Sequence, residues 1–180
     1  GMASMEAMCV AGGAAAIIWM NGGGPFMMYL LLVLAAAVSG FLVWNWPPAK
    51  IFMGDACSGF LGLTLGLLAL VTVSGDAINL WSWIILYGVF VVDATYTLFS
   101  RVFRGERFYE AHRSHAYQIL ARRFKSHKKV TLGVLAVNMF WLFPLAVVSS
   151  RHPQFAFPCF IAALTPLLLI TVKTGAGRTD

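Results

Sequence analysis

Most side chains that could do chemistry in this sequence stand in two polar segments, and the first is 45–58. It contains two consecutive prolines, which stop a preceding helix, and the motif F-M-G-D, whose acid is Asp55. Asp55 stands just before an apolar segment, where the partial positive charge of a helix N-terminus stabilises a carboxylate. It therefore either caps that helix, with Ser58 as the expected N-cap residue, or binds Mg²⁺, which takes one or two carboxylates together with substrate phosphates.

The second polar segment, 110–118, lies within a long basic stretch and contains two histidines three positions apart. His112 and His115 share one face if the segment is helical. Four arginines lie near them in the sequence: Arg101, Arg104, Arg107 and Arg113. Cations at this density suit an anionic, phosphate-bearing substrate. The alternatives are a basic loop that touches anionic lipid headgroups and a zinc or iron site, for which two histidines at this spacing are weak evidence.

A third candidate is Asp93, an acid inside an apolar segment about two helical turns before Arg101. Acids within a membrane are costly and mark functional sites by default. The alternative is a structural pair with Arg101 or with a polar group of a neighbouring helix. His127 and His152 are predicted to be surface residues, and the basic run 122–129 is predicted to contact anionic membrane lipid.

The elements that position these residues are apolar and long. The chain is 59% hydrophobic and 11% charged, whereas a soluble domain is about 45–50% apolar and about 25% charged. Apolar runs of membrane-spanning length must be helical in lipid, because no water satisfies exposed backbone groups. The sequence predicts an all-α integral membrane protein, one domain over 1–180, with about six transmembrane helices: 2–20, 26–44, 59–74, 78–100, 130–149 and 155–172.

The positions of the basic residues predict the orientation of these helices. Nine of the thirteen Lys and Arg residues lie in the loop 101–129, so this loop is predicted to be cytoplasmic. Alternation of the helices then puts Gly1, the loop 45–58 and the C-terminal tail on the same side, and leaves Arg151 outside. The net charge of +6 thus reflects membrane sidedness, and no nucleic-acid partner is expected.

The first polar segment resembles the N-x-x-P-A-x-x-F-M-G-D-x-G-S signature of the polyprenyl-phosphate N-acetylhexosamine-1-phosphate transferases, the glycosyltransferase family 4 group that includes phospho-N-acetylmuramoyl-pentapeptide transferase. The stretch A-H-R-S-H-x-Y-Q is similar to the family's histidine motif, in the form of the branch that initiates O-antigen chains. Two departures are visible. Cys57 stands where the family has Gly and is expected to crowd the backbone near Asp55, and the family's other acidic motifs would lie upstream of Gly1, so the chain is expected to be the C-terminal part of an enzyme.

The resemblance implies a role for each matched residue. Asp55 would be the ligand of Mg²⁺, with Mn²⁺ as the alternative, and would act in catalysis together with His112 and His115. Phe52 would pack against the uracil of the donor, and Asn45 would shape the same cleft. His112 and His115, with Arg113, would bind the pyrophosphate. Arg101, from the cluster of arginines, is a further candidate substrate-binding residue.

The implied reaction transfers a sugar-1-phosphate from a UDP-N-acetylhexosamine to undecaprenyl phosphate and releases UMP. It would initiate cell-surface polysaccharide synthesis at the bacterial inner membrane, and a homodimer is left open. The alternative is a non-catalytic membrane protein or transporter subunit, which explains the helices but not the coincidence of both motifs on one side. A histidine-box di-iron enzyme would need more histidines than the two in this segment.

Overall fold

The computed structural model describes residues 1–105 and 114–177, and the regular structure of these residues is entirely helical. This confirms the predicted all-α class. The longer helices in chain order are α1 (Met2–Met20), α2 (Pro25–Asn45), α3 (Gly54–Ser74), α4 (Leu80–Leu86), α5 (Gly88–Phe103), α6 (Ala116–Arg123), α7 (His127–Val137), α8 (Phe143–Arg151) and α9 (Ala156–Thr174). A π-helical turn, Asn138–Leu142, joins α7 to α8, and a short 3₁₀ turn, Pro153–Phe155, precedes α9.

The described helices make the chain a multi-pass membrane protein. Five of them are long and apolar enough to cross a bilayer: Met2–Met20, Pro25–Asn45, Gly54–Ser74, His127–Arg151 and Pro153–Thr174. The helices α4 and α5 pass the same test as a pair but meet at a bend of 76°, and they make a sixth span if the pair is one broken crossing. The prediction of about six spans is therefore confirmed.

The fourth span is not the continuous helix 78–100 that the sequence predicts. Asn79 caps α4 by accepting a hydrogen bond from the Ser82 backbone, and α5 begins at Gly88 after the bend. A Cβ atom on Gly88 would lie 3.2 Å from a methyl carbon of Leu142 and 3.3 Å from one of Leu167. The bend thus brings the α5 backbone close against two neighbouring helices, which an unbroken apolar sequence does not reveal.

The third span begins at Gly54, five residues before the predicted start at Gly59. Gly54 has a φ of +70°, which glycine adopts without steric cost. Ser58 therefore lies inside α3, where its hydroxyl donates to the Asp55 carbonyl at 3.1 Å, and its predicted role as N-cap is wrong. The earlier start places Asp55 in the first turn of the helix.

The loops alternate between the two ends of the bundle. At one end, the Asn21 side chain donates to the Ala77 carbonyl and the Ser150 hydroxyl, and Arg151 donates to the Met20 carbonyl. At the other end, Ser4 contacts Asn45, residues 45–53 and 117–131 line one cavity, and Gly177 contacts Ser114. Residues 45–53 and residues 114–118 of the second polar segment therefore lie at the same end of the bundle.

The first helix forms the centre of the packing. It contacts α2, α3, α4, α7 and α8, and its small residues allow close approach of their backbones. Its polar residue Glu6 is fully buried and accepts a hydrogen bond from Asn138 Nδ2 at 3.0 Å, where the π-helical turn begins. Because α1 is held on several sides, its first residues form a fixed wall at the end of the bundle that carries the polar loops.

Candidate active site at the polar end of the bundle

The loop between α2 and α3 is fixed by the buried side chain of Asn45. Its Oδ1 accepts a hydrogen bond from Ser4 Oγ at 2.9 Å, and its Nδ2 donates to the Ile51 carbonyl at 2.7 Å. The backbone amides of Lys50 and Ile51 also donate to the Trp44 carbonyl, at 2.9 Å and 3.3 Å. One amide side chain thus closes the loop on itself and ties it to α1, and the implied role of Asn45 in a substrate cleft stays a prediction.

Phe52 and Asp55 project outward from this fixed loop. The Phe52 ring is 81% exposed, and Asp55 is an exposed acid in the first turn of α3. The Cys57 side chain is also exposed. Contrary to the expectation, it does not crowd the backbone near Asp55. A large exposed ring and an exposed carboxylate three residues apart contribute little to the fold, and both are available to a ligand.

The donor set suits an open magnesium site better than a closed metal cage. In residues 1–105 and 114–177, no three His, Cys, Asp or Glu side chains come close enough to hold a metal together. Mg²⁺ usually keeps several waters and takes one or two carboxylates with substrate phosphates. The exposed carboxylate of Asp55 fits that pattern as one ligand.

A cavity of about 370 Å³ joins the two polar regions of the sequence, and we call it the loop cavity. The start of α1, Asn45 and Phe52 line one side, and side chains of α6 and α7 line the other. The residues on the far side are Tyr117, Ala121, His127, Val130 and Thr131. The structure therefore brings the F-M-G-D loop next to the helix that directly follows His115.

His115 is the residue before α6 and is half-buried beside Asp93. Its Nδ1 lies 3.6 Å from Asp93 Oδ2, and its ring stacks on Tyr117 with centroids 5.9 Å apart. Its backbone amide donates to the Gln118 side chain at 3.3 Å, which completes a capping box. His112 and Arg113 lie outside the described residues, so their implied roles stay predictions.

The arginines at the end of α5 lie beside this segment. Arg101 is 4% exposed in the last turn of α5, and its implied substrate contact stays a prediction. Arg104 donates to the Gly177 carbonyl at 3.1 Å, and the Gly177 amide donates to the Ser114 carbonyl at 2.8 Å. The turn after α9 thus connects the end of α5 to Ser114, the residue before His115.

A second cavity of about 410 Å³, the apolar cavity, lies beside α6 and next to the loop cavity. Asp93 and Ala116 line it near α5, and most of its wall is apolar, with Val134, Val137, Leu167 and Ile170 contributed by α7 and α9. Tyr117 and Val130 line both cavities. The first turn of α6 therefore contributes to both cavities, the one at the loop end and the one within the bundle.

Two residues of the loop cavity were not predicted as site residues. Tyr117 has a pKa raised by burial and then by the charge of Asp93, with an opposing hydrogen bond to Gln118, so its hydroxyl stays protonated at neutral pH. His127 is exposed, as predicted for a surface residue, but it lines the loop cavity. Ser126 caps α7 by accepting from the Lys129 amide at 3.3 Å, and this capping serine was the available signal that His127 begins a helix at the polar end.

Comparison with known proteins agrees with this arrangement. Residues 1–73 match the family model described as Glycosyl transferase family 4. The chain is 30% identical over 148 residues to a probable undecaprenyl-phosphate N-acetylglucosaminyl 1-phosphate transferase of Bacillus subtilis (strain 168), an alignment that covers 81% of this chain and 40% of that relative. No solved structure gives a significant match.

Shorter alignments reach a second kind of relative. The chain is 44% identical over 55 residues to a phospho-N-acetylmuramoyl-pentapeptide-transferase of Prochlorococcus marinus (strain MIT 9215), covering 31% of this chain and 14% of the relative. It is 43% identical over 60 residues to the protein of the same name from Leptospira biflexa, covering 33% and 15%. The family match and these relatives show that the chain belongs to glycosyl transferase family 4.

Proposed function

We propose that this chain forms part of a membrane transferase that moves an N-acetylhexosamine-1-phosphate from a UDP-sugar to undecaprenyl phosphate and releases UMP. The observation that carries the proposal is the meeting of the loop cavity and the apolar cavity at Tyr117. A transferase of this kind must bring a water-soluble donor and a lipid acceptor together at one point. The family membership adds weight to the same reaction class.

The loop cavity is the proposed donor site. Its mouth carries the exposed ring of Phe52, on which a flat base such as uracil can stack. Opposite this ring stand His127 and the protonated hydroxyl of Tyr117, which can donate hydrogen bonds to the donor's oxygens. Basic side chains at the same end attract a nucleotide sugar, since charge-assisted hydrogen bonds to phosphate are strong.

The apolar cavity is the proposed site for the first isoprene units of the acceptor. Side chains on its outer flank are partly exposed on the apolar surface of the bundle, Ile170 by 48% and Phe124 by 55%. A prenyl chain can therefore enter from the bilayer, while its phosphate stays near Tyr117 and the loop end. Lys129, which also lines this cavity, is placed to attract that phosphate.

The chemistry asked of the protein is positioning and charge neutralisation, which dominate phosphoryl transfer. Asp55 would hold Mg²⁺ or Mn²⁺, which would polarise a phosphoryl oxygen and offset its developing charge when bound. From the family resemblance, we assign contact with the donor's pyrophosphate to His112, Arg113 and His115. The uracil base and the prenyl chain, held in the two cavities that meet at Tyr117, would orient the two reacting phosphates.

The proposal includes the orientation in the membrane. The end with the loop 45–58 and helix α6 would face the cytoplasm of a bacterium, because it holds every Lys and Arg of residues 1–105 and 114–177 except Arg151. UDP-sugars would then reach the loop cavity from the cytoplasm. Initiation of an O-antigen or a similar surface polysaccharide follows from the form of the histidine motif.

The substitution Asp55→Asn in the full-length protein tests the proposal. Transfer of radiolabelled N-acetylglucosamine-1-phosphate to undecaprenyl phosphate should fall by about two orders of magnitude, the scale of losing one electrostatic group in a transition state. Asp76→Asn is the matched control, since Asp76 is an exposed acid at the opposite end of the bundle, and its activity should equal that of the wild type. Normal turnover by Asp55→Asn would reject the metal role, and a wild type inactive with UDP-N-acetylhexosamines would favour a non-catalytic membrane protein.

A further inference from the structure

Asp93 is a buried acid on α5 whose contacts reach across the structure to His115 and Ala116. Its Oδ1 accepts a hydrogen bond from the backbone amide of Ala116 at 2.8 Å, and this contact is buried. The same oxygen lies 3.3 Å from the Thr97 hydroxyl, one turn along α5. Its Oδ2 lies 3.6 Å from His115 Nδ1. One carboxylate thus contacts two consecutive residues that follow it by more than twenty positions.

These contacts explain how a carboxylate is tolerated at 7% exposure. Burying a charge is costly unless hydrogen bonds and opposite charges compensate for it. Ala116 is the first residue of α6, so its amide points out of a helix N-terminus, where the helix dipole stabilises a negative group. The energy gained by the carboxylate in turn stabilises α6 at this position.

A second contact fixes the same segment from another direction. The amide of Gly177, in the turn after α9, donates to the carbonyl of Ser114 at 2.8 Å. Ser114 and Ala116 are therefore held from α9 and α5, respectively, and His115 lies between them. Its ring is further bounded by Tyr117, so its surroundings come from α5, from α6 and from the turn after α9.

We infer that Asp93 is a positioning residue, which holds His115 and the start of α6 in place between the two cavities. The importance of this role for turnover rests on the proposed function, but the positioning itself does not. Without the carboxylate, the Ala116 amide is left without its buried acceptor, and the His115 ring loses the charged group beside its Nδ1. Tyr117, which lines both cavities, then follows the displaced first turn of α6.

Hydrogen–deuterium exchange of the full-length protein tests the positioning without any measurement of activity. Asp93→Ala should raise amide exchange in residues 114–123 about five- to tenfold, the scale of one lost buried hydrogen bond, and leave α1 unchanged. Thr97→Val is the matched control, because it removes another hydrogen bond to the same oxygen without touching α6, and it should exchange like the wild type. Unchanged exchange in 114–123 of Asp93→Ala would overturn the inference.

A double-mutant cycle on turnover tests whether Asp93 acts through His115. It uses Asp93→Asn, which keeps the side-chain volume and so remains usable if Asp93→Ala does not fold. Asp93→Asn should lower turnover in a protein with His115, and should lower it little further in the His115→Gln background. Independent, multiplicative losses would contradict a role through His115. A wild type without turnover would contradict the proposed function alone, and the exchange measurement would then decide the positioning.

Discussion

The loop 45–55 and the segment 114–127 face each other across one cavity, but they are held in different ways. Asn45 fixes the first with a bond to Ile51, only six residues away, and a second bond to α1. The second is held by Asp93 on α5 and by Gly177 beyond α9. A motif fixed by nearby residues can be recognised from contiguous sequence, whereas one fixed by distant helices depends on the whole bundle.

The largest loss of stability should follow when the Asn45 side chain, which holds the loop 45–55, is removed. Asn45→Ala leaves the Ser4 hydroxyl and the Ile51 carbonyl without their partner, and should lower the free energy of unfolding by about 2–3 kcal/mol. Thermal unfolding in detergent measures this loss. Asn21→Ala is the control, because Asn21 also makes two side-chain hydrogen bonds but is exposed at the opposite end. Equal losses from both variants would show that burial of Asn45 is not what fixes the loop.

A smaller effect is expected from the distant support of the second region. Gly177 has a φ of +76°, and a Cβ atom there would lie 2.6 Å from Ser100 Cβ, so Gly177→Ala must displace the turn. We expect a loss of about 1–2 kcal/mol and faster amide exchange in 114–123. Gly22→Ala is the control that separates backbone strain from steric clash. Gly22 also has a positive φ, of +69°, but it has open space around it. Amide exchange in 114–123 that is faster in Gly22→Ala, or that is unchanged in Gly177→Ala, would contradict the support of this segment by Gly177.

The smallest effect should concern substrate binding alone. His127→Ala removes a hydrogen-bonding ring from the wall of the loop cavity and should raise the KM for the UDP-sugar about three- to tenfold, the scale of one net hydrogen bond. Its thermal stability should not change, because the side chain is exposed. His152→Ala, an exposed histidine at the opposite end, should leave KM unchanged. A lowered melting temperature with unchanged KM would assign His127 to the fold and not to the cavity.

The same difference between the two regions explains which features the sequence predicted. The lengths of the apolar runs predicted the membrane spans. Alternation of these spans predicted that both polar regions lie at one end, because span lengths depend on local composition. The bend before Gly88 was missed, since it depends on contacts with Leu142 and Leu167, far along the chain. The sequence analysis considered Arg101 as a partner for Asp93, and the contacts to Ala116 and His115 appeared only with the tertiary structure.

The site was predicted in part for the same reason. The positions of Asn45, Phe52 and Asp55 follow from one contiguous motif. The catalytic and binding roles of these residues, of His115 and of Arg101 stay predictions. Tyr117 and His127 carry no motif signal of their own, because their place in the cavity depends on how α6 and α7 pack beside the loop.

The central claim is that the cavity between the loop 45–53 and α6–α7 binds a UDP-sugar, and photolabelling tests it most directly. A 5-azido-uridine analogue of UDP-N-acetylglucosamine, activated with the full-length protein in detergent, should label peptides from 45–53 and 117–131. Excess UDP-N-acetylglucosamine should suppress the labelling, and Phe52→Ala should weaken it. Labelling confined to the opposite end, at 20–25 or 150–155, or labelling that the natural nucleotide sugar does not suppress, would contradict the account.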